Sequence, residues 1–468
     1  MTKILESLDQ ILWGAPALLG ILGVGVFLSI RSGFPQFSLF TRAWKTFLHS
    51  LHGKESGASS GFQALCTALA ATVGTGNLVG VAGAICIGGP GSIFWMWICG
   101  LVGMATKYAE ATLAVRYRIR QNGIWMGGPM YMIQNGLGTR WQWLAKLYAL
   151  FGFLAAFGVG NATQINAVIS GIHTIQASFG LQPLPLADLA VGLILALLVS
   201  WILRGRGKGI GRIAERLVPF ASAAYILLCF VFLIRKADRI PGSLLMIFQG
   251  AFSPKAVTGG MLGSAFSALR TGCARGVFTN EAGMGTASIA HGSADVDHPA
   301  KQGLMGIMEV FLDTIVICTL TALVILCSGV QIPYGTDAGG VLTALAFSCV
   351  YGPWASVWLS LALCCFAFAT VLGWSLYGGR CAQFLFGRKG WDWFVLLQTV
   401  TVLAAAVSEP GPVWILAEIF NGLMAIPNLI ALAVLSPELR RLTIDFKEKS
   451  GILAGGGTYA NFYQRKPL

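Results

Sequence analysis

Ala71-Thr72-Val73-Gly74-Thr75-Gly76-Asn77-Leu78-Val79-Gly80 lies in the middle of a long apolar run, 62–88. Glycine loosens the backbone and asparagine competes for its hydrogen bonds, so this stretch favours local unwinding of a helix. The run is long enough to cross a bilayer, which takes about 20 mostly apolar residues. Irregular backbone at that depth is tolerated only where it faces protein or a wet cavity. Freed amides there can hold a carboxylate, and freed carbonyls can hold a cation or an ammonium group. Gly76 and Gly80 also fit a helix-packing GxxxG pair, and on the residues alone the two readings weigh equally. A dinucleotide loop is excluded, because the spacing is GxGxxxG and no strand precedes it.

A second interruption, Gly276-Val277-Phe278-Thr279-Asn280-Glu281-Ala282-Gly283-Met284-Gly285, falls within the Gly- and Ser/Thr-rich segment 256–290. An ionisable residue inside a membrane points to function. Glu281 either helps to bind a cation or, as buried charges more often do, pairs with an arginine such as Arg275 or caps a half-helix. Asn161 and Gln164, three apart on one helix face, either line a cavity or bond a neighbouring helix; the residues alone favour the second. Thr370 and Trp374 also share a face. A hydroxyl there can coordinate a hard cation and an indole can wall a small pocket, or the indole simply packs or anchors at the interface.

The whole chain supports a membrane setting. Its 468 residues are 55% hydrophobic and 11% charged, with mean hydropathy +0.71, against about 25% charged in soluble domains. Candidate spans are 11–30, 62–88, 91–115, 144–172, 184–203, 213–234, 256–290, 303–329, 354–378, 392–408 and 412–435. The net charge of +13 could suggest nucleic acid, but the basic residues sit in short loops between apolar runs. Of the 32 Lys and Arg, 23 fall in 31–60, 116–143, 204–216, 293–302, 379–391 and the tail after 436, and five in 1–10, 235–241 and 255. That split puts the N-terminus outside and the C-terminus in the cytoplasm, provided that 256–290 crosses. The run 242–252 then reads as a short external surface helix.

The fold class is therefore all-α and polytopic, with about eleven transmembrane helices in a cell inner membrane. Interrupted helices at matching positions of two halves point to an inverted-repeat site. The chain divides into 1–60 (a leading helix and cytoplasmic linker), 61–240 and 241–436 (two five-helix repeats) and 437–468 (a cytoplasmic tail). The eleven cysteines read as small buried side chains, and the five histidines have no metalloenzyme spacing. No nucleophile–base pair or nucleotide motif is found, so neither an enzyme nor an ATP-driven pump is expected. Lys107 and Glu110 read as a structural pair, Asp313 and Glu418 as hydrogen-bonded structure or proton relays. Gly127-Gly128-Pro129-Met130-Tyr131 reads as a cytoplasmic turn before an amphipathic helix.

Together these motifs resemble the alanine or glycine:cation symporter family. The likeness rests on Gly74–Asn77, Gly88–Trp97, Gly103–Glu110, Gly127–Tyr131, Asn280–Gly285, Asp313-Thr314 and Asn421–Leu429, and runs from about residue 10 to 440 in the family's order. It implies a leucine-transporter-type fold: five-plus-five inverted repeats, sodium or proton coupling, and one extra N-terminal helix. It implies import of a small neutral amino acid, alanine or glycine, by a monomer; an uncoupled exchanger or channel on the same fold is the alternative. Carried over as substrate contacts are Thr75, Gly76, Asn77, Gln164, Phe278, Thr279, Asn280 and Trp374.

The departures concern the cation and the pocket. The family's hydroxyl pair in the eighth core helix is here Ala369-Thr370, one hydroxyl short at the expected sodium site. The ligands left there are carbonyls near Thr72 and Val73 and the Thr370 hydroxyl, so a proton can stand in for sodium. A family Ser is Thr279, a family Asp is Glu418, and the segment after Trp374-Ser375 is Leu376-Tyr377-Gly378-Gly379, which allows substrate preference to differ.

Overall fold

The computed structural model describes residues 12–52, 60–252, 265–336, 339–408 and 411–452. Lys3, Glu6, Asp9, Lys255 and the start of the 256–290 segment lie outside these.

The segment around Ala71–Gly80 is a broken helix. Ser60 starts α3 (Gly61–Thr72), its side chain accepting from the Gln63 amide. Val73 leaves the helix with extended backbone, ψ 107°. The chain resumes as a π-helical turn, Gly76–Gly80, and α4, Val81–Gly88. The two halves are bent by 53°. Before them come α1 (Ala15–Arg31) and α2 (Phe40–His52), and after them α5 (Gly91–Arg116). A two-stranded hairpin follows, β1 (Ile119–Gln121) and β2 (Ile124–Met126), with Ile119 opposite Met126. Its turn, Asn122-Gly123, has positive φ at both residues, the geometry that matches strand twist.

The first half continues with α6 (Gln142–Phe157), a π-helical turn at Gly158–Ala162, α7 (Thr163–Ser178), α8 (Pro185–Arg204), α9 (Arg206–Arg235) and α10 (Ile240–Phe252). The second interruption again splits a helix. α11 (Ala265–Asn280) ends at a tight loop, Glu281–Gly285, before α12 (Thr286–His291). Then come α13 (Pro299–Val310), a π-helical stretch at Phe311–Cys318, α14 (Thr319–Ser328), α15 (Gly339–Tyr351), α16 (Trp354–Phe386), α17 (Arg388–Val407), α18 (Gly411–Val434) and α19 (Ser436–Lys449).

The surface is apolar where a soluble protein's is not. Leu193, Ile194, Leu197 and Trp201 on α8, Phe220, Leu227 and Phe230 on α9, and Leu396 and Val400 on α17 are all exposed. Such a belt needs lipid as its solvent. The basic segments meet at one end. Arg42 bonds the Ser450 carbonyl, Arg116 pairs with Glu438, Arg118 bonds the Ala294 carbonyl, and Gln383 reaches Gln121.

Six stretches are long and apolar enough to cross a membrane by themselves: 139–178, 185–204, 206–235, 299–328, 354–386 and 388–407; two bent pairs raise this to eight. Other expected spans are helical but atypical. α5 carries buried Lys107 and Glu110, and α1 has 17 residues.

Three features were not legible. α15 falls in the expected loop between 329 and 354; it is too short to span, and packs through Gly339 and Thr343 on Val79 and Leu78. α2 and α19, assigned to linker and tail, are helices at the basic end. Gly127–Tyr131 does precede a helical segment, 129–137, half-exposed from 134 on, but it opens deep in the protein: Pro129, Met130, Tyr131 and Met132 are buried. A Cβ on Gly285 would stand 2.4 Å from Pro129, so this loop supports the second break.

Candidate functional site

Each break is held by an asparagine and by a carboxylate from another helix. In the first, Asn77 Oδ1 accepts the Gly74 amide at 2.8 Å, and Asn77 Nδ2 donates to Asp313 Oδ1 at 2.8 Å. In the second, Asn280 Oδ1 accepts the Ala282 amide at 3.0 Å, and Asn280 Nδ2 donates to Thr314 Oγ1 at 3.3 Å. Thr314 donates to Asp313 Oδ2, so Asp313-Thr314 bridges both interruptions. Glu110 Oε1 accepts the amides of Gly283 and Gly285 at 3.0 and 3.1 Å and the Asn428 side chain at 2.7 Å. Tyr148 donates to the Met284 carbonyl. Buried backbone groups freed by unwinding are costly unless paired, and these side chains pair them.

The second break also demands unusual backbone. Gly283 and Gly285 have φ of 95° and 80°, and Glu281 has φ of 52°, a region that costs a non-glycine residue about 1–3 kcal/mol. Glu281 holds that conformation with both oxygens engaged: Oε1 accepts from Trp374 Nε1 at 3.2 Å and Oε2 from Thr286 Oγ1 at 2.7 Å. No ion pair joins it to Arg275 among the described residues, so the expected charge pairing is corrected. The Lys107–Glu110 pair is corrected too. Lys107 Nζ binds Glu309 Oε1 at 2.9 Å, across to α13, because Glu110 is occupied by the glycine amides. Asp313 is hydrogen-bonded structure, as expected.

The breaks touch one another. A Cβ on Gly76 would lie 3.4 Å from Thr279 Oγ1 and 3.5 Å from its Cα. Gly80 has open space instead, so Gly76 and Gly80 do not act as a GxxxG packing pair. Beside this contact a cavity of about 40 Å³ is lined by Ala71, Thr72, Gly74, Thr75, Gly76, Val159, Thr163, Gln164, Phe278, Glu281, Thr370, Trp374, Glu418 and Asn421. It is room for about three waters, so it suits a very small solute.

Of the residues singled out from sequence, the fold brings Thr72, Thr75, Gly76, Gln164, Phe278, Thr370 and Trp374 to this cavity. Asn77, Asn280 and Thr279 are buried just behind it. Both asparagines are spent on the breaks, and the Thr279 hydroxyl donates to the Arg275 carbonyl. Val73 forms the bend without lining the cavity. Thr370 Oγ1 donates to the Phe366 carbonyl at 3.0 Å, which leaves its lone pairs facing Gly74, whose Cβ position is 3.1 Å away. Asn161 bonds the Gln398 carbonyl, the interhelical role expected of it. Trp374 is fully buried, its Cβ within 2.2 Å of where a Cβ on Gly160 would stand; glycine at 160 therefore admits the indole. Sequence reasoning did not assign Val159, Thr163 or Asn421 to the wall. Thr163 lies one turn from Asn166 and Asn421 one turn from Glu418, and these polar positions in apolar helices were the available signal.

Known proteins match this chain in sequence and in fold. The model of the sodium:alanine symporter family matches residues 1–453. The chain belongs to that family. It is 41% identical to the sodium/alanine symporter AgcS of Methanococcus maripaludis, covering 95% of this chain and 97% of that one. It is 42% identical to an uncharacterised transporter of Haemophilus influenzae over 96% of each. Its fold is that of MhsT, solved in complex with L-phenylalanine: TM-score 0.56 at 14% identity, covering 84% of this chain and 99% of that one. A sodium:alanine symporter family member with this belt of exposed apolar helices is a multi-pass membrane protein that carries amino acids, and not an enzyme.

Proposed function

We propose that the protein imports a small neutral amino acid, alanine or glycine, coupled to sodium or to a proton. The observation that carries this is the cavity between the two helix breaks, about 40 Å³ and closed on its apolar side by Phe278 and Trp374. A zwitterion needs donors for its carboxylate, acceptors for its ammonium and little else. The first break supplies backbone groups at Thr75 and Gly76, with the Thr75 hydroxyl beside them. Gln164, Glu281 and Glu418 supply side-chain polarity. Asn77, Thr279 and Asn280 act from behind, by fixing the breaks.

The coupling cation sits, on this reading, among carbonyls near Thr72 and Val73 and the Thr370 hydroxyl, with Ala369 contributing no side-chain oxygen. A hard cation prefers such oxygen ligands. The architecture is a leading helix plus five-plus-five inverted repeats, eleven spans in all, working as a monomer. The gathered basic segments face the cytoplasm, as the positive-inside rule requires.

Uptake of radiolabelled alanine, glycine and larger neutral amino acids into proteoliposomes, with a sodium gradient, a proton gradient or neither, tests this. Gradient-driven accumulation of alanine or glycine is expected. Equal exchange without any gradient overturns coupling, and no uptake of either amino acid overturns the substrate.

A further inference from the structure

Two of the residues that line the cavity carry a buried oxygen with no hydrogen-bond donor among the described residues: Gln164 Oε1 on α7 and Asn421 Oδ1 on α18. Their neighbours in the wall are engaged. Thr163 donates to the Val159 carbonyl, Thr370 to the Phe366 carbonyl, and Glu281 accepts at both oxygens. A buried acceptor left without a donor is costly, and folded proteins keep few of them.

The partners fix what Gln164 offers. Its Nε2 lies 3.2 Å from the Val159 carbonyl and 3.3 Å from Thr163 Oγ1. A carbonyl only accepts, so that end is the NH2, and the end left over is an acceptor. Asn421 is 2% exposed, and its carboxamide makes no hydrogen bond among the described residues. Either of its ends is free to meet a solute, and the surroundings decide which one does. α18 packs on the π-helical turn at Gly158–Ala162, immediately before Thr163 and Gln164. Glu418, also in the wall, lies three residues before Asn421 and on the same helix face. Two carboxyl groups, Glu281 and Glu418, line the cavity, and no lysine, arginine or histidine does so among the described residues. A site with acceptors and no cation of its own favours the positive end of a zwitterion.

We propose that Asn421 is a specificity-determining residue of this cavity: its Oδ1, together with Gln164 Oε1, accepts hydrogen bonds from the ammonium group of the carried amino acid. The proposal rests on the transport reading above and deepens it, by giving the solute an orientation. The ammonium has three N–H donors, and the two carboxamide oxygens take two of them. The carboxylate is left to the first break, at Thr75 and Gly76. Two methyl groups on the nitrogen leave it one donor for two waiting acceptors, so the protein selects for a primary amine.

Binding of radiolabelled glycine to the full chain in detergent, at saturating sodium, tests this, with unlabelled glycine, alanine and N,N-dimethylglycine as competitors. The wild type is expected to prefer glycine to N,N-dimethylglycine. Asn421→Leu, close in size but without an acceptor, is expected to bind glycine about tenfold more weakly, the scale of one hydrogen bond to a charged group. Its preference for glycine over N,N-dimethylglycine is expected to shrink by about the same factor, while the ratio of glycine to alanine stays unchanged. Asn421→Asp, which keeps an accepting oxygen, is expected to bind glycine at least as tightly as the wild type. A larger loss in Asn421→Asp than in Asn421→Leu means that the amide donates to the carboxylate, and overturns the proposal. Equal loss in both variants, or none, assigns Asn421 to packing and overturns it too. Wild-type protein that binds neither glycine nor alanine overturns the transport reading and this proposal with it; wild-type binding with unaltered variants overturns the proposal alone. If Asn421→Leu does not fold, Asn421→Asp against wild type decides: retained glycine binding and retained rejection of N,N-dimethylglycine support the assignment, and loss of either overturns it.

Discussion

Trp374 Nε1 donates to Glu281 Oε1 across 3.2 Å, so the indole that walls the cavity is aimed by the one non-glycine residue of the second break held at positive φ. Removing the ring frees volume, and removing the carboxylate frees the ring. Trp374→Ala is expected to widen competition toward branched amino acids. Trp374→Phe, which keeps most of the wall but loses the bond, is expected to keep small-substrate preference at reduced rate. A W374A profile still confined to alanine and glycine would show that the indole only packs.

Gly76 has no positive φ, so its backbone does not demand glycine; its neighbour does. A Cβ would sit 3.4 Å from Thr279 Oγ1, which an alanine tolerates and a valine does not. Gly76→Val is expected to reach the membrane and abolish uptake, while Gly76→Ala retains part of it. Equal uptake by all three forms counts against a substrate path at the touching breaks.

Among the described residues no group donates to the Thr370 hydroxyl beside Gly74, and Ala369 has no side-chain oxygen. Thr370→Ala should weaken sodium activation and Ala369→Ser should strengthen it, each by about 1 kcal/mol, the scale of one net polar contact. Initial uptake rate against sodium concentration gives the answer. Three superimposable curves would falsify a cation site here.

Glu110 pairs two amides of the second break. Glu110→Ala leaves them buried without a partner, at about 1–3 kcal/mol for each group. A large drop in the unfolding midpoint in detergent is expected, with a smaller one for Glu110→Gln, which keeps one accepting oxygen. Unchanged midpoints for both would mean that water or another group can hold the loop.

Outside the membrane, His298 Nε2 lies 3.0 Å from Asp445 Oδ2, which also accepts from Lys449 at 2.9 Å. Burial pushes His298 below its usual value, against the pull of Asp445. Burial opposes the ionised Asp445, yet the hydrogen bonds from Lys449 and His298 hold it below the usual carboxylate range. Both folded values are depressed, so the stability each gives is present above its unfolded value and is lost as pH falls. The docking of α19 should therefore weaken on acidification, first as His298 charges below about pH 6.5 and then as Asp445 protonates below about pH 4. Limited proteolysis of α19 across that range measures it, and cleavage independent of pH would contradict it.

The sequence by itself determined where the chain is interrupted and which class of protein it is. Glycine and asparagine clustered inside apolar runs mark both breaks, because those residues weaken a helix wherever they fall. The basic loops likewise mark one end, because charge repels lipid in any fold. What the tertiary structure decided is the partner of each polar side chain. Asn77 and Asn280 stand in the breaks, yet Asp313 and Thr314 turn them away from the cavity. Lys107 ignores Glu110, three residues on, because the glycine amides claim that carboxylate and Glu309 arrives on α13. Glu281 meets an indole rather than Arg275. In a medium without water every buried polar group must find a partner, and which partner it finds depends on which helices pack side by side, a relation between distant segments that no local pattern carries.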